Sequence, residues 1–170
     1  MQRRRFLGVA VALATMTTVV GCGFRLRSSQ EFRFSSIAIA GGVGSPVASD
    51  LARYLEPLMV PIGYVGGINE PQVILHILQE SREKTVVAVN ASGQVRELQL
   101  RIRVRLQARS SSGRELIAPA EILQQRDITF NESSALAKEA EELLLYRDMQ
   151  SDIVQQLLRR LAAISLGVPE

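Results

Sequence analysis

The sequence predicts an α+β domain built as a two-layer sandwich, in which two helices cover one face of a four-stranded, mainly antiparallel or mixed sheet, in the order βαβββα. Three observations predict it. Residues 97–109 alternate between apolar and polar side chains throughout, which is the period of a half-buried strand. Residues 46–56 and 135–164 repeat apolar side chains at helical spacing, and turn-forming residues separate the other β-rich stretches.

The first strand and the first helix adjoin each other near the start of the predicted domain. Residues 36–40 contain two isoleucines and favour a short strand, which the glycine-rich residues 41–44 end. Ser45 is followed by proline, a favourable N-cap and first helical residue, so we expect a helix over residues 46–56. Pro57 ends that helix because proline disfavours a helical residue before it.

Three strands joined by tight turns are predicted in the middle of the chain. Residues 73–89 form a long β-like stretch, and residues 90–93 (Asn-Ala-Ser-Gly) supply a hairpin turn. The next strand, over residues 97–109, has a basic outer face and an apolar face of Leu98, Leu100, Ile102, Val104, Leu106 and Ala108. A turn at residues 110–113 precedes a fourth strand, which we expect over residues 119–130.

The longest helix is predicted over residues 135–164, with N-cap candidates at residues 131–134 and with Gly167 and Pro169 ending it. Its early glutamates and late arginines match the helix dipole. Its apolar stripe is predicted to comprise Leu136, Ala140, Leu143, Ile153, Leu157, Leu161 and Ile164.

The first 21 residues are predicted to be a signal peptide that is removed. Arginines at residues 3–5 precede an uncharged stretch that is short for a membrane span. They also resemble a twin-arginine motif, so export by that route and by the general secretory route both remain open. Without them, Lys+Arg falls from 20 to 17, equal to the 17 Asp+Glu. The mature chain is therefore neutral, which argues against a nucleic-acid partner.

Cys22 is the only cysteine, and it follows Val-Val-Gly in the order of a bacterial lipobox. The alternative is a buried free thiol. Cleavage before Cys22 would leave it with an S-diacylglycerol and an N-palmitoyl group, and each buried methylene contributes about 0.8 kcal/mol of membrane binding. Glycine at residue 23 favours the outer membrane. We expect residues 22–35 to be a lipidated tether and residues 36–170 to be one domain.

Residue usage argues against catalysis and metal binding. One cysteine and one histidine, His76, do not make a structural zinc site, and no serine lies in a nucleophile elbow. The glutamates at residues 139, 141 and 142 are typical of surface charge near a helix start. We therefore expect no catalytic residues, no metal and no enzyme.

The basic face of the third strand allows two interpretations. Arg101, Arg103 and Arg105 point the same way from one strand. They either form a solvated face balanced by acids such as Glu80 and Glu121, or bind an anionic ligand through their guanidinium groups. A surface that pairs with a larger protein is also compatible with this row.

Five segments of the chain resemble the LptE family of lipopolysaccharide-assembly lipoproteins. The run Cys-Gly-Phe-Arg-Leu-Arg at residues 22–27 resembles the Cys-Gly-aromatic-x-Leu-Arg start of its mature members. The resemblance continues in the hairpin at residues 90–94, the alternating strand after it and the helix start at residues 135–139, and it extends through residues 148–161. It covers essentially the whole mature chain.

The resemblance implies a periplasm-facing, lipid-anchored outer-membrane protein that sits inside the β-barrel LptD, assists its assembly and contacts lipopolysaccharide. Lys138 matches a basic residue that binds lipopolysaccharide in the family, whereas Ala91 replaces a second basic position. Lys84 or Arg96, near the ends of the hairpin, could supply that missing charge. The alternative is a free-standing lipoprotein that binds an anionic ligand or scaffolds another envelope complex.

Overall fold

The computed structural model describes residues 31–59, 70–130 and 135–166. Its elements follow the predicted order βαβββα, so the predicted α+β class is confirmed. In chain order they are β1 (Ile37–Gly41), α1 (Pro46–Leu55) with a 3₁₀ turn (Glu56–Leu58), β2 (Val73–Val89), β3 (Val95–Ser110), β4 (Glu115–Thr129) and α2 (Ala135–Ala162).

The four strands form one mixed sheet in the order β1-β2-β3-β4. β1 runs parallel to β2, since α1 carries the chain back across the sheet, while β2, β3 and β4 are antiparallel neighbours joined by short turns. The parallel register covers only the start of β2 and ends where Gly41 lies opposite Ile77. Beyond that point the sheet continues with three strands.

The core lies between one face of the sheet and the two helices, which also pack against each other. β3 supplies its centre, as its alternation predicts, with Leu100, Ile102, Val104, Leu106 and Ala108 all fully buried. Its largest fully buried side chains outside β3 are Ile37, Val47, Leu51, Leu55, Leu75, Met149, Ile153, Leu157 and Leu161.

The core also takes in part of the predicted tether. Phe34, which the sequence places within residues 22–35, is buried against the core, and its ring lies 5.2 Å from that of Phe32. Residues 22–30 of that predicted tether, Cys22 included, lie outside the described residues, as does the predicted signal peptide.

β4 begins earlier than expected. The prediction placed it at residues 119–130, but the strand spans Glu115–Thr129 and leaves Phe130 just outside. Pro119 suggested a strand start, yet the strand runs through it for two reasons. β4 is an edge strand, and the register shifts between the pairs Leu106↔Ala120 and Ala108↔Ile117, so Pro119 lies in a bulge that needs no backbone donor.

The first half of α2 differs from the predicted stripe. Leu136, Ala140 and Leu143 are exposed, Leu136 to 83%. Leu136 and Leu143 lie on the flank of α2 that also carries Val154, because seven and eleven residues are close to whole numbers of turns. α1 packs against this flank only near Val154, so none of the described residues covers the part of the flank that carries Leu136 and Leu143.

The last turn of α2 also ends earlier than residue 164. The helix finishes at Ala162, and the amide of Ile164 donates to the carbonyl of Leu161 in a tighter turn. The predicted N-cap residues 131–134, and Gly167 and Pro169, lie outside the described residues. No helix in the described ranges carries an apolar run long enough to cross a membrane.

Candidate functional site

The three-stranded end of the sheet, away from β1, holds three of the six predicted ligand-binding cations. We call this region the distal end and define it as residues 84–99, 126–130 and 135–146. The hairpin between β2 and β3 forms its tip, where the Oδ1 of Asn90 accepts hydrogen bonds from the amides of Ser92 (3.0 Å) and Gln94 (2.9 Å). This Asx geometry explains the predicted hairpin.

Lys138 connects α2 to β4. Its Nζ donates to the Oε2 of Glu141 at 2.7 Å and to the Oγ1 of Thr129 at 3.3 Å. The side chain keeps about a fifth of its exposure. Lys138 is therefore a partly covered cation held in place by one helix turn and one strand end.

Lys84 connects α2 to β2. It lies opposite Leu100 on the helix-covered face, and its Nζ contacts the Oε2 of Glu142 at 3.0 Å. Glu141 and Glu142 thus bind lysines, which is a more specific role than the surface charge expected from the sequence.

Arg96 lies at an irregularity near the hairpin. The pairing shifts between Ala88↔Glu97 and Val89↔Val95, which leaves Arg96 as the extra residue of β3. Its carbonyl accepts from the amide of Phe130 at 2.8 Å, and its exposed side chain makes no ion pair with the described residues.

Exposed apolar side chains accompany these cations. The distal end carries more than half of the large hydrophobic side chains that are exposed in the described residues. They are Val86, Val87, Val89, Leu136, Leu143 and Leu144. An exposed apolar surface of this kind beside cations is typical of sites that bind proteins, membranes or amphiphiles. The sequence does not reveal this exposure, because Leu136 and Leu143 match the core periodicity of the helix.

Arg101, Arg103 and Arg105 lie on the other face of the sheet, and acids flank them. Arg101 lies opposite Glu83 of β2, and Arg105 lies opposite Glu121 of β4. The Nε of Arg103 lies 3.7 Å from the Oε1 of Glu121 and, within the described part of the chain, makes no hydrogen bond. The row therefore exists as predicted, in an environment of mixed charge.

Glu80, one of the two acids expected to balance this row, lies on the opposite face. It pairs with Val104 on the helix-covered side, because a bulge after Ile77 changes the register of β2. Its Oε2 accepts from the hydroxyl of Ser45 and, at 3.3 Å, from the amide of Val47. Glu80 thus caps α1, so this expectation was wrong, whereas Glu121 lies where it was expected.

His76 lies half-buried in β2, opposite Gln107. No cluster of three or more metal-ligating side chains occurs within residues 31–59, 70–130 and 135–166.

Comparison with known proteins supports a specific assignment. The family model LptE, lipopolysaccharide-assembly, matches residues 29–161. An LPS-assembly lipoprotein LptE from Photorhabdus laumondii is 28% identical over 166 residues, covering 95% of this chain and 88% of the relative. One from Pectobacterium atrosepticum is 26% identical over 165 residues, covering 96% and 88%.

Two solved structures share the fold. The uncharacterized lipoprotein B from Nitrosomonas europaea superposes with a TM-score of 0.67 at 35% identity, covering 84% of this chain and 92% of that one. The rare lipoprotein B from Shewanella oneidensis gives a TM-score of 0.61 at 19% identity, covering 75% and 94%, and this second match concerns the fold alone.

The fold places this chain in the class of small α+β domains to which these two solved lipoproteins belong. The four-stranded mixed sheet, the two helices on one face and the amphiphilic distal end are all consistent with that class. Because the family model spans most of the chain, the chain belongs to the LptE family of lipopolysaccharide-assembly lipoproteins.

Proposed function

We propose that this lipoprotein is a non-catalytic partner of the outer-membrane β-barrel LptD. In this proposal it is anchored in the outer membrane through N-palmitoyl and S-diacylglycerol groups on Cys22, sits inside the barrel and assists barrel assembly. It contacts lipopolysaccharide on its way to the outer leaflet. The observation that carries the proposal is the distal end, the region in which these cations and exposed leucines and valines occur together.

Lipopolysaccharide is an anionic amphiphile, so its recognition needs both kinds of side chain. Lys138, Lys84 and Arg96 would hold phosphate groups by charge-assisted hydrogen bonds. Neighbouring apolar side chains such as Leu136 and Val86, which are exposed to 83% and 50%, would cover acyl chains or an apolar wall.

The distal end suits an anion better than the arginine row does. Glu83 and Glu121 lie opposite Arg101 and Arg105, so an anion bound to that row would meet carboxylates at short range. At the distal end, Arg96 has no ion pair with described residues. We therefore place the first lipopolysaccharide contact at Arg96. Lys138, which an anion would share with Glu141 at 2.7 Å, is the second contact, and Arg101, Arg103 and Arg105 make weaker ones.

Charge reversal tests the lipid site. Lys138→Glu should weaken lipopolysaccharide binding by the purified protein about tenfold, since one charge-assisted hydrogen bond contributes on the order of 1.5 kcal/mol. Arg53→Glu, at a 77% exposed arginine on α1 far from the distal end, is the matched control and should bind like the wild type. Equal losses of binding in both variants would mean that the effect comes from net charge alone and that Lys138 is not part of the binding site.

Affinity purification of the tagged, full-length protein from solubilised outer membranes tests the partner. We expect a stoichiometric large β-barrel protein, and we expect its level to fall when this lipoprotein is depleted. Recovery of the lipoprotein alone, with normal barrel levels after depletion, would favour the free-standing lipoprotein.

A further inference from the structure

The long free edge of β2 is the starting observation. β1 pairs with β2 only as far as Ile77, so the twelve residues from Leu78 to Val89 have no strand beside them on that side within the described residues. At the usual rise per residue this edge is about 40 Å long. Its outward N–H and C=O groups form a template that another strand can complete.

The fold keeps this edge open through one backbone feature. At Gly41 the chain turns away from β2 with a φ of +73°, and a Cβ at that position would lie 2.6 Å from the carbonyl oxygen of Ile77. β1 therefore cannot continue along β2 in this conformation. A groove of about 460 Å³, lined by residues 42–46 and by Ile77, Leu78, Gln79, Glu80 and Arg82, opens where the two strands separate.

The two open edges of the sheet differ in composition. Pro119 and a bulge interrupt the outer edge of β4 near its start, while residues 120–129 pair regularly with β3. The free part of β2 contains neither proline nor glycine, and nine of its twelve residues are exposed. Four of these are Leu78, Val86, Val87 and Val89. The regular stretch between the two bulges of β2, residues 79–86, is the part best shaped for pairing.

The backbone hydrogen-bonding groups of this edge indicate which kind of molecule can bind there. Backbone donors and acceptors at strand spacing are matched only by an extended polypeptide, which gains affinity from main-chain hydrogen bonds and specificity from alternate side chains. A second copy of this chain fits poorly. Symmetric antiparallel pairing of two copies across residues 79–86 allows two registers. One places Arg82 opposite Arg82, and the other places Glu83 opposite Glu83 and Arg82 opposite Lys84, so like charges face each other in both.

We propose that the free edge of β2 is a strand-addition site for a different polypeptide, which pairs with residues 79–86 and carries an acidic residue opposite Arg82. The side chain of Arg82 is 38% exposed. One of its terminal nitrogens donates to Gln150 at 2.7 Å, and its ion pair with Glu80 is long, at 3.8 Å, so its remaining N–H donors can take a second carboxylate. The end of the added strand lies in the groove beside Gly42. This inference rests on the proposed function, because the barrel-forming partner supplies that polypeptide.

Residue-resolved amide exchange tests it. The full-length, nitrogen-15-labelled lipoprotein is exchanged alone and in the complex that co-purifies from outer membranes, then dissociated, quenched and read by NMR. Strand addition should slow exchange by about tenfold or more at every second amide of residues 79–86, because alternate amides point to the free edge. The outer edge of β4 should gain no such alternation and is the internal control.

A proline variant provides the second test. Of Thr85 and Val86, the residue whose amide exchanges faster in the free chain is the one whose N–H points to the open edge. Proline at that position should weaken the complex about tenfold while β2 and β3 stay paired. The matched control is a proline at the faster-exchanging member of Gln124 and Gln125 on β4. It should leave the complex intact.

Each other outcome overturns the proposal in a recognisable way. A complex that forms without alternating protection removes strand addition and leaves the proposed function standing. Alternating protection in a particle that contains only two copies of this chain replaces the partner strand with self-pairing. If no second polypeptide is retained at all, the partner role and the strand-addition site fail together. Since the exchange experiment uses the unmodified chain, a proline variant that does not fold leaves the inference testable.

Discussion

The hydroxyl of Tyr146 donates a 2.9 Å hydrogen bond to the backbone carbonyl of Glu83, and this bond ties α2 to the part of β2 that β1 does not reach. The ring is 9% exposed, and the guanidinium carbon of Arg82 lies 5.6 Å from its centroid. Among the described side chains of α2, Tyr146 is also the first buried one along the helix. It therefore marks the point where the closed core ends and the distal end begins.

Removing this hydroxyl should destabilise the protein. Tyr146→Phe leaves the Glu83 carbonyl without its donor and keeps the ring, so we expect a loss of about 1 kcal/mol in the free energy of unfolding. Urea denaturation measures it. Tyr54→Phe is the control, since Tyr54 is 58% exposed, and it should change stability by less than about 0.5 kcal/mol. Equal effects of the two substitutions would contradict a structural role for the bond.

The same tyrosine should make stability depend on alkaline pH. Burial, followed by the charge of Glu142, raises the pKa of Tyr146 above its ordinary value of 10.0, while Lys84 and Arg82 act in the other direction. The folded state thus favours the neutral phenol. Its contribution is fully present below pH 10.0 and is lost as pH rises through the raised pKa. The stability advantage of the wild type over Tyr146→Phe should therefore shrink above pH 10.0, measured by unfolding midpoints; a constant difference would contradict the shift.

Two leucines of the same helix should respond differently to truncation. Leu157 is fully buried, so Leu157→Ala should cost about 2–5 kcal/mol through lost burial and a cavity. Leu143 is 61% exposed, and Leu143→Ala should change stability by less than about 0.5 kcal/mol. Thermal or urea unfolding compares them. A large loss at Leu143 would mean that the upper part of α2 is covered in the isolated protein.

Two glycines with similar φ angles allow the cost of a steric clash to be separated from the cost of a left-handed backbone. Gly44 has a φ of +78° with nothing within 4 Å of an added Cβ, so Gly44→Ala should cost about 1 kcal/mol, the usual price of a left-handed alanine. Gly41 has the added clash with the Ile77 carbonyl, and Gly41→Ala should cost at least about 1 kcal/mol more. Similar losses in denaturation experiments would show that β1 can move away from β2 at no cost.

Local sequence patterns predicted most of the fold because neighbouring residues decide them. The alternation of β3 holds from Leu100 to Ser110, and the Asn90 turn forms with its side chain as acceptor. Pro119 misled the prediction of β4, since the effect of a proline depends on whether its strand lies at an edge. The strand order supplies that information.

The candidate site residues show the same difference between what local sequence patterns predict and what only the folded sheet determines. The sequence placed Arg101, Arg103 and Arg105 on one face, which a period of two requires. It could not locate Glu80, because a bulge after Ile77 reverses the face of residues 79–86 in β2. Nor could it show that Lys84, Arg96 and Lys138 share one end of the molecule, since they are brought there by strand register and by the docking of α2.

By itself, then, the sequence determined the element order, the hairpins, the apolar face of β3 and the resemblance to its family, all of which depend on short-range spacing. The tertiary structure decided which apolar residues of α2 remain exposed and which edge of the sheet stays open. The reason is that helical periodicity shows only which side chains lie on one stripe of a helix. How much of that stripe on α2 is covered depends on the ten-residue length of α1, and how much of β2 is paired depends on the turn at Gly41.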